Sequence, residues 1–144
     1  MYTDSQHIKK MIQEGNAELI SHEISERFAN YLNEMKWNIT GTALELLRDN
    51  YEEVKLCCIS DSDLIELTRQ ILDEKNSKII FLFTKNEPSL MCDFDVGICN
   101  IDYVYWKAPG IRYMFPGSII DNKLTTNFKQ LMIYDGADTL IIRN

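Results

Sequence analysis

Apolar positions in the first third of the chain recur every three to four residues. Ile8, Met11 and Ile12 follow a Thr3-x-x-Gln6 pair that fits a capping box, and Gly15-Asn16 closes the segment. A longer second helix is predicted from the stripe Leu19, Ile20, Ile24, Phe28, Tyr31, Leu32 and Met35, with Glu18, Glu23, Glu26 and Glu34 largely off it. A third is predicted from Thr40–Thr42, where Thr42 and Glu45 fit another capping box and Leu44, Leu47 and Tyr51 form the apolar side.

The period then shortens to two. From Glu52 to Ile59, Val54, Leu56 and Cys58 alternate with Glu53, Lys55 and Cys57, which predicts a strand. Ser60-Asp61-Ser62-Asp63 supplies helix-capping residues for a segment carrying Leu64, Leu67, Thr68, Ile71 and Leu72 and ending near Asn76-Ser77. Lys78 to Thr84 is apolar on both faces, the pattern of a central strand. Strand, helix and strand in this order predict a βαβ crossover with two parallel strands.

The remainder is rich in strand signals. Leu90–Asp95 and Ile98–Trp106 flank Val96-Gly97 and suggest a hairpin. Pro109-Gly110 and Pro116-Gly117 mark turns. Leu131–Tyr134 and Thr139–Ile142 flank Asp135-Gly136, the strongest hairpin signal in the chain. The elements add up to an α+β fold. N-terminal helices pack on one face of a mixed, mainly antiparallel sheet, with one βαβ crossover near residues 52–84. A length of 144 residues, with no visible repeat or linker, fits a single domain over 1–144.

Composition narrows the class. With 45% hydrophobic and 26% charged residues the chain is neither collagen-like nor disordered. The longest apolar run, Ile79 to Phe83, is far short of the ~20 residues that cross a bilayer. The start, Met-Tyr-Thr-Asp-Ser-Gln, lacks the basic-then-apolar layout of a signal peptide, so a cytoplasmic protein is expected.

The net charge of −7 is confined to the first half of the chain. Residues 1–77 hold 15 acids and 8 bases, and residues 78–144 hold 7 of each. Nucleic acids and anionic membranes are not expected partners, since both are bound through Lys and Arg. A basic protein is an expected one, steered in by the acidic surface.

Candidate chemistry is sparse. Glu53-x-Lys55 after Asp49 resembles the acidic–acidic–lysine set of a metal-dependent nuclease. Asp93 and Asp95, two apart on the expected strand, could share a hard cation with Asp102. His7 and His22 fall in helical segments without a nucleophile motif beside them, and no Gly-x-Ser-x-Gly elbow exists. Cys57, Cys58, Cys92 and Cys99 show no C-x-x-C spacing and read as buried reduced thiols. No catalytic residue, metal ion or cofactor is therefore assigned.

The most unusual local feature is aromatic. Tyr103, Tyr105, Trp106, Tyr113 and Phe115 cluster around a Pro/Gly loop beside Arg112, the composition of protein-binding hot spots. Expected partner-contacting residues are the acids Glu18, Glu23, Glu26, Glu52, Glu53, Asp61 and Asp63, together with Tyr105, Trp106, Arg112 and Tyr113.

In composition and layout the chain resembles bacterial immunity proteins, of which contact-dependent growth inhibition systems are one source. That resemblance carries no motif and assigns no residue. It implies a cytoplasmic, non-enzymatic protein that binds a cognate toxin domain, often a basic nuclease or RNase, and blocks it. A regulatory or adaptor domain binding another protein, and a metal-dependent nuclease acting through Glu53 and Lys55, are the alternatives.

Overall fold

A computed structural model describes residues 2–34, 51–72, 78–84, 86–105, 112–121, 123–126, 128, 130–135 and 138–143. A 3-10 turn, Tyr2–Asp4, leads into helix α1, Gln6–Gln13. The N-cap is Ser5, whose Oγ accepts from Ile8 N at 3.2 Å. The cap thus lies two residues beyond the expected Thr3, which is buried in the preceding turn. The helix ends where the pattern predicts. Gly15 adopts φ +77°, its N–H donates to Ile12 O, and Asn16 N–H donates to Met11 O. That pair of bonds is a Schellman closure, and a left-handed residue there favours glycine.

Two expectations for the first half are corrected. Ala17–Ile20, expected to begin the long helix, forms strand β1. Helix α2 starts only at Glu23 and runs to Glu34, burying Ile24 and Phe28. The expected third helix over 40–50 lies outside the described residues, as do Met35 and Asp49, and Tyr51 belongs to strand β2, Tyr51–Lys55. β2 is shorter than the expected Glu52–Ile59 strand, because Leu56–Cys58 turn into a 3-10 segment. Helix α3, Asp61–Leu72, follows, with Ser60 Oγ accepting from Asp63 N at 3.2 Å.

Strand β3, Lys78–Phe81, and strand β4, Ser89–Asp93, come next. The hairpin expected about Val96-Gly97 is absent. Phe94–Cys99 forms helix α4 and Ile101–Val104 a single helical turn, α5. Gly97 serves close packing instead of a turn. A Cβ there would lie 2.1 Å from Ile79 Cγ2 and 3.2 Å from Phe81, so only glycine lets this helix lie against the sheet. Strands β5 (Arg112–Ile120), β6 (Lys123–Thr126), β7 (Leu131–Tyr134) and β8 (Thr139–Arg143) complete the described elements. Pro116-Gly117, read as a turn, lies inside β5. Pro116 is in register with Ile79 of β3 and, on the other side of β5, falls between the stretch paired with β7 and the stretch paired with β6.

The strand order is β1-β4-β3-β5-β7-β8-β2, with β6 pairing β5. Every pairing is antiparallel, so the sheet is not mixed. The crossover from β2 through α3 to β3 does join strands that run the same way. They are not neighbours, however, because β5, β7 and β8 lie between them. The fold is α+β.

Alternation along the strands divides the core in two. Ile79, Phe81, Leu90, Met114, Met132 and Ile142 face α1, α3, α4 and α5. Ile80, Met91, Phe115, Leu131, Ile133 and Ile141 share the opposite layer with Ile24 and Phe28 of α2. Helices therefore lie on both faces, where one covered face was expected. A buried hydroxyl pair, Ser25 Oγ to Ser89 Oγ at 3.1 Å, ties α2 to β4. No helix among the described residues is long and apolar enough to cross a membrane.

Phe81 is fully buried and meets the Tyr105 ring edge-on at 5.5 Å. Phe81→Ala is expected to cost about 3–5 kcal/mol in denaturant titration. Gly97→Ala, which adds one methyl group, is expected to cost about 1–3 kcal/mol through overpacking. Little loss in either variant would place these residues outside the constrained core.

Candidate functional site

The acidic residues expected to contact a partner are all exposed, and they fall into two groups along the chain. Glu18 lies on β1 and Glu23 and Glu26 in the first turn of α2. Glu26 is in contact with His22, one helical turn away, at 3.3 Å. Glu18 and Glu23 rim a cleft of about 460 Å³ between α2, β1 and β6. Its apolar lining is Ile20, Ile24, Met91 and Leu124, and Arg27 and Lys123 complete the rim. Two acids and two bases leave that rim without a preferred sign of ligand.

The second group is Glu52 and Glu53 on β2 with Asp61 and Asp63 in the first turn of α3. Among the described residues β2 is the last strand of the sheet, paired with β8 alone. Val54 points into the core, while Glu52 and Glu53 sit opposite Ile142 and Ile141 and so lie on opposite faces of the edge. None of the four acids makes an ion pair among the described residues. Other acids do: Asp93 at the end of β4 pairs with Lys78, and Asp95 in α4 accepts from Arg69 Nη2 at 2.6 Å. Lys55, the only base on β2, donates to Thr139 Oγ1 across the β2–β8 pairing. Asp61 and Asp63 also complement the positive end of the α3 dipole.

The described residues of the aromatic stretch divide between core and surface. Helix α5 and the residue after it turn Ile101, Val104 and Tyr105 inward and leave Asp102 and Tyr103 outside. Tyr105 is 2% exposed, which removes it from the expected partner contacts. Its hydroxyl lies 2.8 Å from Leu82 O and 2.7 Å from Tyr113 O, satisfying carbonyls of the β3–β5 pair. Burial pushes its acidity far below that of a free tyrosine. Tyr113 packs on Phe28 at 5.0 Å on the opposite face, half-buried. Arg112 lies over the rings of Tyr105 and Tyr134 at 5.9 and 5.6 Å. Its Nε is buried without a hydrogen-bond acceptor among the described residues, so the ring faces supply its favourable surroundings. Tyr134, in turn, donates its hydroxyl to Asp102. Trp106 lies outside the described residues. Tyr103 is the exposed member, at 54%, with its ring 5.0 Å from that of His7.

The suggested metal constellation is dispersed, while Glu53 and Lys55 of the nuclease set share a face of β2 and Asp49 lies outside the described residues. Asp93 ends β4 and Asp95 lies within α4, so they do not share a strand face. Asp102 is engaged by Tyr134. Among the described residues no three His, Cys, Asp or Glu side chains gather as a metal site.

The cysteines divide differently from expectation. All four are free, but Cys57 and Cys58 are exposed, Cys99 is half-buried and only Cys92 is buried. Burial pushes the Cys92 thiol up to about 12. Cys57 is also pushed up to about 12, by hydrogen bonding with the Asp138 carboxylate and then with Cys58. The same contact holds Asp138 below the usual carboxylate range. Asp138 stands in the turn between β7 and β8, some eighty residues away, which is why the sequence shows no sign of this contact.

Thiol counting in denaturant without reductant is expected to find four thiols. In native buffer, a maleimide is expected to label Cys58 while sparing Cys92. Labelling of Cys92 at the same rate as Cys58 would contradict its burial.

Comparison with known protein families, with characterised proteins and with solved structures finds no match.

Proposed function

We propose that this chain is a cytoplasmic immunity protein. It binds a basic toxin domain and blocks it, acting by contact and not by catalysis. The observation that carries the reading is the charge on the edge strand and its connection to α3. Glu52, Glu53, Asp61 and Asp63 are exposed without counter-ions among the described residues, while Asp93 and Asp95 are neutralised locally. Unpaired carboxylates at a sheet edge create a negative field that steers a cationic partner. They also present to a nuclease's phosphate-binding site the charge it is built to receive. The net charge of −7 adds to the same attraction.

Exposed charges of this kind set the rate of association more than its strength. Against a basic toxin domain encoded beside this chain, the on-rate is expected to fall steeply as salt rises and the Debye length shrinks from about 30 to about 8 Å. Reversing Glu53 and Asp63 to Lys is expected to slow association roughly tenfold or more at low salt. Reversing Glu18 and Glu23 should have the smaller effect, since Arg27 and Lys123 stand beside them. An on-rate indifferent to salt and to both reversals would remove the electrostatic mechanism, and absence of binding or protection would remove the immunity reading. Metal-dependent cleavage of RNA or DNA, lost in Glu53→Ala, would replace it with the nuclease reading.

A further inference from the structure

The two exposed thiols have a geometry that their sequence position alone does not give. On an extended strand, neighbouring side chains point to opposite faces. The 3-10 segment Leu56–Cys58 ends that alternation and leaves Cys57 Sγ and Cys58 Sγ 3.0 Å apart at the surface. The segment is held from its other side by Asp138. Leu56 N–H donates to Asp138 O at 2.9 Å, and Cys57 N–H donates to Asp138 Oδ2 at 3.1 Å.

A direct bond between the two sulfurs fits this arrangement poorly. The peptide bonds of the described residues include no cis bond, and adjacent Cα atoms across a trans peptide are about 3.8 Å apart. Unstrained disulfides need about 4.4 Å or more. An inserted atom that bonds both sulfurs widens the ring and escapes this limit. We propose that Cys57 and Cys58 form a two-thiol capture site for trivalent arsenicals.

The chemistry closes without an outside oxidant or reductant. An arsenic(III) oxide R–As=O condenses with two thiols to give R–As(S–Cys)₂ and one water. Two As–S bonds form, the As=O bond and both S–H bonds break, and both protons leave with the oxygen. Arsenic remains trivalent. A soft cation such as Cu(I) would instead require two thiolates. The Asp138 carboxylate, which accepts from Cys57 N–H, opposes the thiolate at Cys57 and favours its protonated form.

The probe is phenylarsine oxide, added to the native protein and followed by intact mass. The expected product is one phenylarsenic group per chain with loss of one water, stable to a monothiol and removed by a vicinal dithiol. Cys57→Ser and Cys58→Ser should each abolish it, and Cys92→Ser and Cys99→Ser should retain it. Both replaced thiols of the site are exposed, so their serine variants are expected to keep the wild-type far-UV spectrum. Asp138→Asn retains an acceptor for the Cys57 N–H and tolerates the left-handed backbone, φ +77°, at this position. It should leave the stoichiometry at one. No adduct on the wild type, or an adduct that survives in Cys58→Ser, would overturn the proposal.

Discussion

Beyond Lys78, strand β3 has no residue that meets water. Ile79, Ile80 and Phe81 are all fully buried, Ile79 and Phe81 toward the four-helix side and Ile80 toward α2. Both of its edges are occupied as well, by β4 and β5. Three consecutive apolar side chains can be buried this way only if both faces of the sheet are covered, and that requirement shapes the rest. It brings α2 across one face, anchored by Phe28 against Tyr31, Tyr113, Phe115 and Phe128. On the other face it draws α4 so close that Gly97 has no room for a side chain. Tyr105 then closes the end of the strand, its ring on Phe81 and Phe83 and its hydroxyl on the Leu82 carbonyl.

Where a segment's structure is set locally, its residues announced it. Ser60 and the acids after it cap α3, Gly15 stops α1 in the left-handed region, and Asp135 turns the β7–β8 hairpin through its own Oδ1 on Thr139 N. The doubly apolar run at β3 was equally plain. Segments set by distant partners were not legible. Leu19 and Ile20 fit a helical stripe as well as a strand, and only the pairing of Ala17–Ile20 with Ser89–Cys92 decides for the strand. Phe94 to Tyr105 alternates enough to suggest β structure, but contact with the sheet selects helix there. A period of two placed Tyr103 and Tyr105 on one face, whereas the helical period sends one out and the other in. The acids of the candidate edge were legible as exposed groups. That Asp93 and Asp95 are neutralised while Glu52, Glu53, Asp61 and Asp63 are not depends on Lys78 and Arg69 arriving from other elements.

The acidic edge is also the best-braced part of the surface. β2 is tied to β8 along its length, Lys55 reaches Thr139, and the turn after it is gripped by Asp138. Groups fixed by the scaffold in this way lose little freedom when a partner arrives, so more of the contact energy appears as affinity.

The pairing of β2 with β8 carries a further consequence for how the molecule is made. Residues 51–55 find their partner strand only at residues 139–143, and β1 at 17–20 waits for β4 at 89–93. Such pairings close long loops before any hydrogen bond rewards them, which slows folding. On the ribosome, the strand bearing Glu52 and Glu53 has no template until the chain has grown past residue 143. Among the described strands, the charged edge thus cannot find its partner on a nascent chain before β8 has been synthesised.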